Sequence, residues 1–182
     1  MHSYIKHLSV CVLAALSFQS AANPVKGGDS RFSMGLEAST KKIQSSEIGM
    51  ETLGVNFGAE FGLNSLVSFK PNMTVGTGIT SDNEYGYKFS MTYYATVALD
   101  ARIYVPQVKG LYFHAAPTYS KYKMKSKTAN QSSKGDSRGF GFQTGLGYQI
   151  NDQLEVGLGF EKDYLKYDLD MKSWNLNINY LF

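Results

Sequence analysis

The sequence predicts an all-β fold, an eight-stranded antiparallel up-and-down transmembrane β-barrel. Eight segments alternate apolar and polar side chains, and successive strand side chains point to opposite faces. The connections between these segments are alternately short and long, which is typical of barrels that cross a membrane. Glycines collect on the face opposite the apolar side chains, as the narrow lumen of a small barrel requires.

The amino-acid composition agrees with this prediction and disfavours several other classes of protein. A chain of 182 residues is expected to form one domain, and 13 Tyr, 11 Phe and 18 Gly favour strands over helices. With 18 Lys+Arg against 15 Asp+Glu, nothing indicates a nucleic-acid-binding protein. Beyond the N-terminus, no apolar run approaches the ~18 residues that a membrane helix needs.

Residues 1–22 are predicted to form a signal peptide, and residues 23–182 the barrel domain. Lys6 and His7 supply a basic start, an apolar stretch follows, and Ser20-Ala21-Ala22 offers a small-residue cleavage site. A mature N-terminal helix is the alternative. Cleavage would remove Cys11, the single cysteine, so the mature fold is expected to need no disulfide.

The first four predicted strands are Arg31 to Ser39, Leu53 to Leu63, Val67 to Ile79, and Phe89 to Ile103. In the first, apolar residues occupy even positions, and in the next three they occupy odd positions. The outward set of the fourth strand is predicted to begin with Phe89 and Met91. Pro71 lies on the apolar side of the third strand, where a closed barrel offers no free edge for a residue without an N–H.

The last four predicted strands are Leu111 to Tyr119, Phe140 to Ile150, Leu154 to Phe160, and Trp174 to Phe182. The first and last of these have the length of about 9–11 residues that crosses the hydrocarbon region. Pro117 poses the same problem as Pro71. Because the parity is unchanged on both sides of each proline, we expect a local distortion without a one-residue bulge.

The connections should alternate between two ends of the barrel. Short turns are predicted at Asn64-Ser65, Val105 to Gly110 and Asn151 to Gln153. Long polar loops are predicted at Thr40 to Thr52, Thr80 to Lys88, Tyr122 to Arg138 and Lys162 to Met171.

Parity alone does not decide which face points outward, because a soluble carrier would place its apolar face around an internal ligand. Glycines such as Gly58, Gly145 and Gly157 share the polar face, where they would weaken a solvated surface but fit a crowded lumen. The apolar face is therefore predicted to contact lipid.

Eight charged residues are predicted to face the lumen, and Glu60 should lie opposite Lys70. Two interpretations remain open: a lumen plugged by ion pairs, or a pore gated by re-pairing of Glu60 and Lys70. The candidates are Arg31, Glu37, Glu60, Lys70, Asp100, Arg102, Glu155 and Glu161.

His114 is predicted to be lumenal and near Asp100, either as a hydrogen-bonded lumen residue or as a general base. Ala115 and Ala116 follow it, so no adjacent nucleophile supports an enzyme. Neither a metal-ligand cluster nor a phosphate-binding glycine loop appears in the sequence, and no cofactor is expected.

The predicted loop from Tyr122 to Arg138, with Lys121 just before it, is strongly basic, and Asp136 is its single acid. It could bind lipopolysaccharide phosphates or polyanionic host molecules, or it could be an ordinary solvated loop. Its basic residues are Lys121, Lys123, Lys125, Lys127, Lys134 and Arg138.

The stretch from Gly139 to Phe160 resembles the sixth and seventh strands of small eight-stranded outer-membrane β-barrel proteins, the group that includes OmpX, Ail and the OmpA membrane domain. The final strand, with Trp174, Tyr180 and Phe182, resembles their C-terminal recognition strand, which implies contact with the barrel-assembly machinery. The resemblance covers the layout of the whole mature chain.

This resemblance implies a monomer in the Gram-negative outer membrane, with both termini periplasmic and lipopolysaccharide among its partners. Members of the group are adhesins, serum-resistance factors, envelope-stabilising proteins or narrow pores. The resemblance therefore favours a non-enzymatic surface or envelope protein with an adhesion-type role. A small gated pore is the alternative, followed by a lipid A-modifying enzyme.

Overall fold

The computed structural model describes residues 25–44, 46, 48–84, 86–128, 131–166 and 169–182. The predicted signal peptide lies outside them. No helix in these ranges is long and apolar enough to cross a membrane. The strands are β1 (Ser30–Ile43), β2 (Gly49–Gly62), β3 (Val67–Gly78), β4 (Ser81–Glu84), β5 (Tyr87–Tyr104), β6 (Leu111–Lys127), β7 (Ser132–Gln149), β8 (Leu154–Leu165) and β9 (Met171–Leu181).

Eight of these strands form a closed ring. Each pairs antiparallel with its neighbour, β3 pairs directly with β5, and β9 pairs with β1 to close the barrel. The short strand β4 stands outside the ring and pairs with the first residues of β5. The predicted eight-stranded antiparallel barrel is thus confirmed.

The outer face of the barrel is apolar and the lumen is polar. Phe32, Phe140 and Trp174 point outward and are 64%, 72% and 61% exposed, whereas the inward Glu155 is fully buried. Most strand glycines face the lumen: a Cβ on Gly157 would meet the side chain of Asn177, its partner on the neighbouring strand β9. A carrier with an apolar interior is therefore excluded.

The two ends of the barrel differ. Short connections at 63–66, 105–110 and 150–153 lie at one end, here called the turn end, where Gly110 adopts a left-handed φ of 82°. The first described residues and the end of β9 lie there too, since Leu181 N–H donates to the carbonyl of Gln153 and Gly28 N–H to that of Gly62. The opposite end, here called the hairpin end, carries the connections 44–48, 79–86, 128–131 and 166–170.

Strands continue at the hairpin end where long loops were predicted, which corrects those boundaries. The segment Tyr122 to Arg138 is a hairpin: β6 and β7 stay paired as far as Lys127 and Ser132. Likewise, β1 reaches Ile43 and β8 reaches Leu165. Backbone pairing does not need an apolar outward face, so the strands extend beyond the residues that show apolar alternation.

The outward placement of Phe89 and Met91 was wrong. A register shift between Met91 and Tyr93 inserts an extra residue into β5, and a bulge of this kind exchanges the two faces. Met91 is consequently 2% exposed and belongs to a buried apolar cluster, against which Phe89 packs.

Both prolines lie on the outward face, and each borders an interruption in one ladder. The β2–β3 ladder omits the rungs of Lys70 and Pro71, and the β5–β6 ladder omits those of Ala116 and Pro117. Each proline remains in register on its other side, with Leu99 and Phe142 respectively. The missing N–H thus removes local hydrogen bonding without a bulge.

Candidate functional site: a closed lumen and a cationic hairpin face

Glu155 is the centre of an ion cluster in the turn half of the lumen. Its two carboxylate oxygens accept hydrogen bonds from Arg102 at 2.7 and 3.2 Å. Lys70 Nζ donates at 3.2 Å and Asn179 Nδ2 at 3.0 Å. All four side chains are at most 4% exposed, so each charge depends on its partners rather than on water.

Glu60 extends this cluster toward the turn end. Arg31 donates to it at 2.8 Å, Arg102 at 3.3 Å and the Tyr104 hydroxyl at 2.6 Å. The sequence pattern placed Lys70 opposite Glu60, but Lys70 pairs with Glu155 instead. Curvature of the barrel brings β8 across the lumen to β3, and adjacent-strand register does not reveal such a contact.

Asp100 and His114 form a pair in the middle of the lumen. His114 Nδ1 lies 3.1 Å from Asp100 Oδ1, and Asn72 Nδ2 donates to the other carboxylate oxygen at 3.0 Å. Among the described residues, no hydroxyl or thiol is hydrogen-bonded to the imidazole. The arrangement has the geometry of a hydrogen-bonded lumen pair and lacks a nucleophile in contact with a base.

A second ion cluster occupies the hairpin half of the lumen. Lys41 Nζ lies 3.3 Å from Glu161 and stands 4.7 Å from the ring centroid of Tyr94. Asp163 accepts hydrogen bonds from the hydroxyls of Tyr122, Ser120 and Thr118. Glu37 accepts one from the Tyr94 hydroxyl at 3.3 Å.

Lys41 and Asp163 were missed as lumenal residues, although both are fully buried. They lie in the segments predicted as loops. The available signal was parity: Lys41 continues the inward positions of Arg31 and Glu37, and Asp163 follows Glu161 by two residues. All eight predicted lumen residues point inward, and the structure adds these two charges to them.

Apolar side chains close the hairpin end above the second ion cluster. Lining residues from both clusters enclose a cavity of only about 40 Å³, room for a few water molecules. The described lumen therefore contains two ion clusters, a small polar cavity between them and an apolar cap. The cap consists of Ile43, Ile48, Met50, Met91, Tyr94, Tyr122, Leu165 and Met171.

The basic residues of the predicted loop lie on one face of the β6–β7 hairpin, here called the cationic face. Lys121 pairs across the ladder with Arg138, Lys123 with Asp136 and Lys125 with Lys134. Cross-strand Cβ atoms are about 5 Å apart, and successive rungs on one face are separated by about 7 Å. Lys88, not predicted, joins this face opposite Lys127.

Backbone pairing and the carboxylate of Asp82 hold the strands together at the hairpin end. Asp82 of β4 accepts hydrogen bonds from the backbone N–H groups of Gly49 and Asn83, both at 2.8 Å. These hydrogen bonds lower the pKa of Asp82 below its ordinary value, so the carboxylate keeps its charge to a lower pH than an ordinary aspartate does. The described part of the hairpin end is thus an extension of the sheet.

Exposed aromatic side chains lie on the outer surface near both ends of the barrel. Trp174 packs edge-on against Phe160 with centroids 5.2 Å apart, and Tyr180 against Phe182 at 4.9 Å. Within the described ranges, no group of three or more His, Cys, Asp or Glu side chains is placed to hold a metal ion. The candidate functional features in the described part of the chain are the closed lumen and the cationic face.

Comparison with known proteins gives a family match over nearly the whole chain. The model of the outer membrane protein beta-barrel domain matches residues 9–182. A comparison with curated protein sequences finds no match.

Several solved structures share the fold at low sequence identity. Ail, the attachment invasion locus protein of Yersinia pestis, is 15% identical with a TM-score of 0.63 over 86% of this chain and 99% of its own. Its complex with the heparin analogue sucrose octasulfate is 16% identical with a TM-score of 0.62, at the same coverage. The N-terminal barrel of Pseudomonas aeruginosa OprF is 13% identical with a TM-score of 0.55, over 85% and 100%.

Proposed function

This chain belongs to the outer membrane protein beta-barrel domain family, and we propose that it is a non-enzymatic surface protein that binds polyanions. In this proposal the lumen serves as a rigid plug, and the cationic face carries the binding activity. The role is of the adhesion type, directed at sulfated or phosphorylated polymers outside the cell.

The arrangement of basic side chains on a single face carries the proposal. Lys121, Lys123, Lys125, Lys127, Lys134 and Arg138 all point outward from paired strands, with Asp136 as the one described acid among their rungs. A solvated loop would hold such charges at variable distances. Here the ladder fixes them, so a bound polymer does not have to order the backbone.

Repulsion among these basic side chains also destabilises the hairpin when no polyanion is bound. Like charges directly opposite each other destabilise a ladder, and Lys125 faces Lys134 with Lys127 facing Lys88 one rung away. A linear polyanion along the hairpin would relieve this repulsion and release its own counterions. Ail, which shares the fold, was crystallised with a sulfated heparin analogue, and the present chain supplies its own ordered cations for such a ligand.

We predict that replacing Lys123, Lys125 and Lys134 with serine weakens heparin binding by roughly tenfold or more at physiological salt, because three fixed cations are lost. Biolayer interferometry of the barrel in zwitterionic nanodiscs at several salt concentrations measures this. The variant should also show a shallower dependence of log Kd on log salt concentration.

A charge-matched control is available away from the β6–β7 hairpin. Replacing Lys26, Lys42 and Lys172 with serine removes the same net charge from exposed positions outside β6, β7 and β8. This control should keep heparin affinity within about threefold of the wild type. Equal losses in both triple variants would mean that net charge alone attracts heparin, and the proposed site would be abandoned.

The pore alternative predicts a conducting lumen, and the closed-lumen proposal predicts none. We expect no stepwise single-channel conductance in planar bilayers for the wild type or for Lys70→Ala. Without Lys70, Arg102 still holds Glu155 and Glu60, and the apolar cap remains in place. Discrete channel openings in either protein would favour the gated pore and refute the plug.

The orientation proposed for the barrel follows from its two unlike ends. Short turns at one end, where β1 begins and β9 ends, and long hairpins at the other are typical of the periplasmic and outer sides respectively. We therefore place the turn end in the periplasm and the cationic face outside the cell. The terminal strand with Trp174, Tyr180 and Phe182 would then meet the barrel-assembly machinery, and a monomer is proposed.

A further inference from the structure

The two ion clusters of the lumen differ in their balance of charge. In the turn half, three cations contact two carboxylates: Arg31 and Arg102 contact Glu60, and Lys70 and Arg102 contact Glu155. Each carboxylate of this cluster therefore has two cationic partners. The turn half of the lumen needs no further positive charge.

In the hairpin half, by contrast, three carboxylates share a single ammonium group. The carboxylates belong to Glu37, Glu161 and Asp163, and the ammonium is that of Lys41, 3.3 Å from Glu161. All four side chains are at most 8% exposed, so water screens their charges little. Within the described ranges, neither Glu37 nor Asp163 has a cation within ion-pair distance. This half thus carries an excess of negative charge when its carboxylates are ionised.

Glu37 has the least compensation of the three carboxylates. Three hydroxyl groups donate hydrogen bonds to Asp163, and these bonds stabilise its charge. Glu37 accepts a hydrogen bond from the Tyr94 hydroxyl at 3.3 Å. A buried carboxylate is costly to keep ionised unless a cation neutralises it. Glu37 is therefore the group at which an added cation would stabilise the lumen most.

The cavity between the two clusters brings Glu37 together with other oxygen atoms. Glu37 and Glu161 both line this cavity, and its volume is about 40 Å³. Asn175 is 2% exposed, and neither its amide oxygen nor its amide nitrogen has a hydrogen-bond partner in the described part of the chain. The amide oxygen lies over Gly159, which on the inner face of β8 stands between Gly157 and Glu161 of the cavity wall. Asn175 thus presents an unpartnered oxygen beside the two carboxylates.

We propose that this cavity binds a calcium ion, with oxygen ligands from Glu37, Glu161 and Asn175. Calcium takes about six to eight oxygen ligands in a flexible geometry, and carboxylates, side-chain amides and water all serve. Magnesium keeps several of its waters in a strict octahedron, for which this cavity is too small. The divalent charge offsets the negative excess of the hairpin half. Two of the ligands are acidic, and the remaining oxygens can come from the lining residues Asn56, Thr74, Thr96 and Gln143.

Both ends of the calcium site are closed. The apolar cap covers the hairpin end of the cavity, and the ion cluster of the turn half covers its other end. Calcium is therefore expected to enter while the strands close into the barrel, and to leave the folded protein slowly. The bound ion would stabilise the hairpin half of the plug, and it does not depend on polyanion binding at the cationic face.

The calcium content of the folded barrel tests the site. The barrel is folded into zwitterionic detergent with calcium, passed over a size-exclusion column in buffer with a chelator, and analysed by inductively coupled plasma mass spectrometry. The wild type should retain about one calcium ion per chain. Glu37→Gln, which keeps the shape of the side chain, should retain at least about tenfold less, since a charged ligand is lost. Asn175→Ala leaves every charge in place and should also lose calcium, by roughly tenfold.

Glu51→Gln is the matched control, because Glu51 is an exposed acid on the outer face of β2. It should retain as much calcium as the wild type. Calcium present during folding should raise the urea midpoint of the wild type and of this control, but not that of Glu37→Gln. Equal retention by the Glu37 and Glu51 variants would place the ion elsewhere and overturn the inference. A wild type that retains no calcium would overturn it too, and a stability that rises as the pH falls would then show that protons neutralise Glu37.

Discussion

Replacing Glu155 with alanine should destabilise the barrel by about 3–5 kcal/mol, the usual cost of leaving a buried charge without its partner. Glu155 receives hydrogen bonds from Arg102, Lys70 and Asn179 and is fully buried. Its removal leaves Lys70 without an ion-pair partner among the described residues, and Arg102 with Glu60 alone. The free energy of unfolding, from urea titration in phospholipid vesicles, measures this loss.

Glu51→Ala provides the control, since Glu51 is an exposed acid of β2 on the outer face. It should change the free energy of unfolding by no more than about 0.5 kcal/mol. The double variant Lys70→Met, Glu155→Ala should be more stable than the sum of the single changes predicts, because it removes the stranded charge together with its partner. A loss below 1 kcal/mol for Glu155→Ala would show that the lumen is hydrated enough to screen its ions.

The parts of the strands that face lipid could be predicted from the sequence, because lipid requires an apolar side chain on every second residue. Beyond the hydrocarbon region the outward side chains need not be apolar, so the apolar alternation ends there. Strands β6 and β7 nevertheless continue, since their backbone hydrogen bonds do not depend on which side chains face outward. The six cationic residues were thus predicted to lie in a loop, whereas they lie on paired strands.

For the lumen, too, the sequence predicted the positions of the charged residues but only part of their contacts. Parity placed Arg31, Glu60 and Glu155 inside, and the register of β1 and β2 accounts for the Arg31–Glu60 pair. The cationic partners of Glu155 instead reach it from across the barrel, at a distance that depends on closure and strand tilt. Glu60 and Lys70 share adjacent strands and still pair with other residues. The bulge at Met91 was hidden for a different reason: Tyr93 and Tyr94 suit either face, so the sequence gives no sign of the inserted residue.

The second large effect is expected at Gly147, where a methyl group should cost about 1–3 kcal/mol by overpacking the lumen. A Cβ at this position would overlap the ring of Tyr112, which lies across from it on β6. Neighbouring side chains hinder the Tyr112 ring from moving away from an added methyl group. Its centroid is 5.4 Å from that of Tyr104, and the Arg102 guanidinium lies 4.3 Å from it.

Gly135→Ala is the matched control for Gly147→Ala, because both glycines belong to β7 and a Cβ on Gly135 would meet nothing within 4 Å. It should be neutral or stabilise the barrel by up to about 1 kcal/mol, through a smaller entropy of the unfolded chain. Shortening the opposing ring in Tyr112→Leu, Gly147→Ala should recover part of the loss relative to the sum of the single variants. Equal stability of the Gly135 and Gly147 variants would mean that the turn half of the lumen has room to spare. In that case the ring of Tyr112 could move, and the ion cluster beside it would be a flexible obstruction rather than a rigid plug.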